Sequence, residues 1–175
     1  SFQLYGEIDQ LPDYLSQSGF SGAYTVSEWG ATGHWESACT DWDRPFEANS
    51  SVKAGCYQQR YLDYIAADRR QCLGSFVFLW GQKQERTPTW YGVFLENGNE
   101  TESVEVMHYI WNHSWPQNKT PQIGSFTLND KTAYDSVTTH PGNQLHAVLK
   151  MDDIDNDPIN YTWEVLPEST DLGDG

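Results

Sequence analysis

Tyr24-Thr25-Val26-Ser27-Glu28-Trp29-Gly30, running on into Ala31-Thr32-Gly33-His34-Trp35-Glu36, decides how the chain is read. Residues 23–27 are small, β-branched or apolar and read as a short buried strand. That strand stops at a carboxylate, and glycines, a histidine and two indoles follow it. Such an ending aims an acid into a cleft with flat walls, and an indole face stacks on the apolar face of a sugar ring. Glu28 is therefore the candidate catalytic residue, with Trp29, His34 and Trp35 as candidate substrate contacts. The plainer alternative is a strand-end Glu held in a salt bridge or at a helix start.

Working outward, residues 32–51 form a long loop; loops of that length are usually functional or disordered, and Trp35, Trp42 and Phe46 favour the former. Ser50 or Ser51 can cap a helix over residues 52–68. Tyr57, Tyr61, Tyr64 and Ile65 fall on one face of it, while Arg60, Asp63, Arg69 and Arg70 are expected in solvent. Residues 75–80 are a continuous apolar run, as in a strand covered on both faces of a parallel sheet. Strand, helix and strand make one βαβ unit. Trp80 closes the second strand and is expected beside Glu28. The next loop, residues 82–98, supplies Lys83, Glu85, Arg86 and Trp90, which could bond sugar hydroxyls or form a self-satisfied ion-pair loop. A short helix begun by Pro12 is expected before the first strand, and a second long helix over residues 101–112. From Ile123 the apolar period becomes two, with further strands at residues 145–151 and 159–165, which suggests a β-sandwich. The boundary falls near Lys119, giving units of residues 1–118 and 119–175.

The totals exclude several function classes. A formal net charge of -15 repels phosphate, so binding of nucleic acid through a basic footprint is ruled out. Anionic membrane surfaces are repelled as well, and no apolar run reaches the roughly 18 residues of a membrane span. An aromatic share of 14% argues for a packed core rather than disorder. Cys39, Cys56 and Cys72 contain no CxxC pair, so zinc is not expected. They allow a Cys39–Cys56 or Cys56–Cys72 disulfide, or three thiols. The run from Asp152 to Asp157 offers Asp153, Asp155 and Asp157 as a weak calcium alternative to a polar turn; no other cofactor is expected. Asn49, Asn99, Asn112, Asn118 and Asn160 lie in glycosylation sequons, which matter if the chain is secreted.

Two stretches, S-E-W-G-A-T-G-H-W-E from Ser27 and L-G-S-F-V-F-L-W-G-Q-K-Q-E-R-T-P-T-W-Y-G-V-F from Leu73, resemble the last two strands of clan A glycoside hydrolase barrels, close to the family two type. D-D-I-D-N-D-P-I-N-Y-T-W-E-V-L, from Asp152, resembles Ig-like or cadherin-like modules of secreted enzymes. The resemblance implies an α/β plus all-β chain: the last two βα units of a (β/α)8 TIM-type barrel, then a partial Ig-like β-sandwich. It implies a secreted retaining β-glycosidase segment acting on poly- or oligosaccharide, with Glu28 as nucleophile and Trp80 at the rim. The acid/base Glu would lie outside this chain, which would be a segment completed by the remainder of its barrel or by neighbouring subunits. The alternatives are a non-catalytic carbohydrate-binding or cell-surface module, and a structural filament or adhesion subunit.

Overall fold

A computed structural model describes residues 1–170. Three strands, β1 (Phe2–Gln3), β2 (Tyr24–Gly30) and β3 (Cys72–Phe78), form a parallel sheet in the order β1-β2-β3. Parallel neighbours need a crossover. A 3-10 turn (Gly6–Gln10) and helix α1 (Leu11–Ser18) carry the first, with Pro at the start of α1 and Gly19 at φ 64 ending it. Helix α2 (Ser50–Arg60), continued by one π turn (Tyr61–Ile65), carries the second. The cap of α2 is Asn49, one residue before the expected serines, and its side chain accepts from the Val52 amide at 3.0 Å. Helix α3 (Glu102–Asn112) packs against α2. The buried cluster is built from Ile8, Leu11, Val26, Trp29, Tyr57, Tyr91, Val93 and Met107.

One face of α2 does more than pack. Lys53, Tyr57 and Arg60 recur at helical spacing, and each reaches a backbone carbonyl beyond the helix. Lys53 Nζ donates to the Thr89 carbonyl at 2.6 Å, and the Tyr57 hydroxyl to those of Phe78 and Tyr91 at 3.1 and 3.3 Å. Arg60 donates to the Gly30 carbonyl at 2.6 Å and to Thr32 Oγ1 at 2.8 Å. Arg60 was expected in solvent; its guanidinium instead closes the carboxyl end of β2. Gly30 is required there, since a Cβ would stand 2.4 Å from the Phe78 carbonyl oxygen.

The barrel-plus-sandwich resemblance is overturned. Among the described residues the parallel sheet is open and three-stranded, and the remaining strands, β4 (Gln122–Leu128) and β5 (Ala147–Asp152), make a two-stranded antiparallel ribbon. Neither a closed barrel nor two packed sheets is present among them. The expected strand over residues 159–165 is unpaired chain with Tyr161, Trp163 and Val165 exposed. Among the described residues its alternation has no second sheet to face; Trp163 packs instead on Phe126 of β4, with ring centroids 5.9 Å apart. The ribbon instead leans on the helical layer, where the Ile123 amide donates to Ser51 Oγ at 2.8 Å. The last expected residues of that module, 171–175, lie outside the described residues.

The acidic run is a turn held by its own backbone. Asp153 Oδ1 accepts from the amides of Asp155 and Asp157, each at 3.0 Å, and Asp155 accepts from the Lys119 amide at 2.7 Å. Short carboxylates satisfy local amides readily. No group of three His, Cys, Asp or Glu able to hold a metal occurs among the described residues. Cys39, Cys56 and Cys72 are all free thiols. Of the sequon asparagines, Asn99, Asn112, Asn118 and Asn160 are exposed, and Asn49 is half-buried as the cap of α2.

Candidate functional site

The carboxyl ends of the parallel strands open into a cleft of about 830 Å³ whose lining includes Gln3, Tyr5, Glu7, Glu28, Trp35 and Phe78. Open parallel sheets place their ligands outside these strand ends, where the crossovers leave a crevice. Neighbouring residues of a strand point to opposite faces. Trp29 therefore turns into the core, fully buried against Tyr57 and Tyr61, while Glu28 turns into the cleft.

Glu28 is aimed by two donors from the stretch around β1. Gln3 Nε2 donates to its Oε1 at 2.8 Å, and the Tyr5 hydroxyl to its Oε2 at 3.0 Å. Burial first, and the Glu28 carboxylate second, push the Tyr5 phenol well above its usual range, so it remains a donor. Trp35 stands at the mouth, 56% exposed, and its ring meets Tyr5 and His34 edge-on. Gly33 lets that ring lie flat over the backbone: a Cβ there would be 2.6 Å from it.

The opposite wall comes from the loop after β3. Lys83 Nζ lies 2.8 Å from Glu85 Oε2 and 5.4 Å from the Phe78 ring centroid. Glu85 is buried, and His34 Nε2 lies 3.9 Å from its other oxygen. Of the two roles open to this loop, the self-satisfied ion pair is the one seen, although Lys83, Glu85 and Arg86 also line the cleft.

The structure thus brings Glu28, His34, Trp35, Lys83 and Glu85 together and leaves three expected contacts out. Trp29 is core. Trp90 is buried behind His34, with its indole N–H donating to the Thr32 carbonyl at 3.0 Å. Trp80, placed beside Glu28 by sequence, does not line the cleft; it packs on Phe94 and Trp111 instead. β3 ends at Phe78, two residues earlier than expected, so Phe78 takes the cleft position.

Gln3, Tyr5, Glu7 and Glu36 were missed. Phe2 and Leu4 alternate with polar or amphipathic neighbours before Gly6, a short period-two signal that marks β1. Glu36 anchors the site from beneath. Its Oε2 accepts from the amides of Gly6 and Gly33 at 2.7 and 2.8 Å, and its Oε1 from that of Glu7 at 2.8 Å. A Cβ at position 6 would stand 2.7 Å from the Glu36 carboxylate and would push it off its amides.

The Glu7 carboxyl bonds to this anchored anion. Burial first, then the bond to Glu36, raise it above its ordinary value. Burial pushes Glu36 upward, but the bond from Glu7 and the three amides outweigh it and hold the group below 4.5. The signs of the pH dependence follow. Glu7 contributes fully below pH 4.5 and its contribution is lost as pH rises through its folded value. Glu36 contributes above pH 4.5 and is lost as pH falls through its own. The pair is therefore most stabilising when it holds one proton. Denaturant titrations across pH should show Glu7→Gln flattening the decline of stability as pH rises from 4.5; an unchanged profile would place the proton elsewhere.

The sequence matches no protein-family model and no curated protein.

Proposed function

We propose that the cleft takes a neutral carbohydrate and that Glu28 acts on its glycosidic bond as the nucleophile of a retaining β-glycosidase. One observation carries this reading: a carboxylate at a parallel-strand end, oriented by a phenol and an amide, lines the same open cleft as a half-exposed indole. Each Glu28 oxygen has one donor, which leaves a lone pair free for a ligand. Lys83 is matched by Glu85, so the cleft offers an anionic substrate no spare ammonium there. A neutral polyhydroxylated chain suits such a site, since hydroxyls both donate and accept.

A second reading, capture without turnover, is favoured by Trp35, whose exposed face suits stacking whether or not a bond is cut. Both readings share a test. Trp35→Ala should weaken the binding of neutral oligosaccharides by about tenfold, the equivalent of roughly 1.4 kcal/mol, in calorimetric titration. An affinity unchanged across glucose-, mannose-, galactose- and xylose-based oligomers would remove carbohydrate from the cleft altogether.

A further inference from the structure

A retaining cleavage at Glu28 needs a second carboxyl, in the acid form, to protonate the leaving oxygen. Three other carboxyls stand at the cleft. Glu85 is already paired with Lys83 at 2.8 Å. Glu36 is held as an anion by three backbone amides and turned toward them. Glu7 differs from both: it lines the cleft beside Glu28, and its carboxyl bonds to another carboxyl, that of Glu36. Two carboxyls in contact cannot both ionise readily, so one keeps a proton. Glu36 has its oxygens filled by N–H donors, and the proton rests on Glu7.

The two carboxyls also share a neighbour. Glu28 and Glu7 are tied to the two ends of one residue: the Tyr5 hydroxyl donates to Glu28 at 3.0 Å, and the Tyr5 amide to Glu7 Oε2 at 3.3 Å. A single buried side chain sets the spacing between them.

We infer that Glu7 is the general acid that works opposite Glu28, with Glu36 as the group that keeps it charged with a proton. The inference rests on the reading of Glu28 as nucleophile. In the first step a Glu28 oxygen bonds to the anomeric carbon. The carbon–oxygen bond to the leaving group breaks, its electron pair stays on the leaving oxygen, and the Glu7 proton moves there. In the second step the Glu7 carboxylate takes a proton from water. The water oxygen bonds to the anomeric carbon as the ester to Glu28 breaks, and both carboxyls return to their starting states.

Glu7→Gln separates this role from a structural one, because the amide still donates to Glu36 and keeps the contact. The test uses 2,4-dinitrophenyl and methyl β-glycosides of glucose, galactose, mannose and xylose. Dinitrophenolate leaves without a proton; methoxide does not. Glu7→Gln should lower kcat on the methyl glycosides by about 100-fold or more. On the dinitrophenyl glycosides it should give a rapid burst of phenolate and slow turnover, and azide, which needs no base, should speed that turnover by forming the glycosyl azide. An equal loss on both substrates without burst or azide response would overturn the role of Glu7, as would undiminished cleavage of the methyl glycosides. Glu28→Gln tells the two failures apart. If it retains full turnover, or the parent protein cleaves none of the glycosides, the reading of Glu28 falls and takes Glu7 with it.

Discussion

Glu28→Gln should abolish glycoside turnover while leaving oligosaccharide affinity within a few-fold. The exchange is nearly isosteric. The amide oxygen still accepts from Tyr5 or Gln3, so the cleft keeps its shape. What is lost is the negative charge that makes the oxygen a nucleophile, and removal of a covalent nucleophile lowers kcat by roughly 10⁴-fold or more. Parallel measurement of kcat and of Kd by calorimetry checks it. Loss of binding together with turnover would mean that the carboxylate serves affinity instead, and turnover at the parent rate would end the enzymatic reading. Capture without catalysis gives a third pattern, in which neither protein cleaves and both bind.

Lys53→Met should have the largest effect on stability. Lys53 is buried under the loops that frame the cleft, with Nζ 2.5 Å from Glu47 Oε1 and 2.6 Å from the Thr89 carbonyl oxygen. Glu47 also accepts from the hydroxyls of Thr87 and Thr89 at 2.6 and 2.7 Å. One ammonium thus joins the loop before α2 to the loop after β3. Burial pulls the ammonium below its ordinary range, and Glu47 works against that pull. Removing the lysine leaves a half-buried carboxylate without its counter-charge, and breaking such a pair costs about 3 kcal/mol. Chemical denaturation should show a loss of that size, with Lys53→Met/Glu47→Leu recovering much of it. A loss under about 0.5 kcal/mol in the single variant would show that water replaces the lysine without penalty.

Much of the local architecture was legible in the residues. The Glu28 strand and the capped helix after it declared themselves through period, caps and β-branched content; the apolar run of β3 marked a strand but not its burial, since β3 lies at the sheet edge with Leu73 and Phe76 exposed. The βαβ logic that sends Glu28 to an open strand end was legible too. The long-range consequence drawn from them failed, because strand patterns report which faces are apolar and say nothing of how many sheets meet. Residues 159–165 alternate as a strand does, yet among the described residues no strand pairs with them, and only Trp163 finds a ring to pack on, that of Phe126. Trp80 was misplaced for a smaller reason: an apolar run gives no sign of where the ladder stops, and two residues separate a cleft wall from a helix contact.

The polar framework was the least visible part. Arg60 looks like a solvent charge from its neighbours and becomes a carbonyl clamp only when β2 ends above it. Glu36 reads as one more acidic residue in a loop. Its three amide partners come from residues 6, 7 and 33, and no local window contains them all.

That tether from Glu36 has a bearing on how the cleft chooses what it admits. The segment bearing Tyr5 and Glu7 and the segment bearing Trp35 are moored to the same anion, so they travel together and cannot close on a guest like jaws. On the glycosidase reading, sugars are then told apart by how well their girth and flat side fit a cleft of fixed shape. Homologous sugars should differ mainly in how fast they escape once seated.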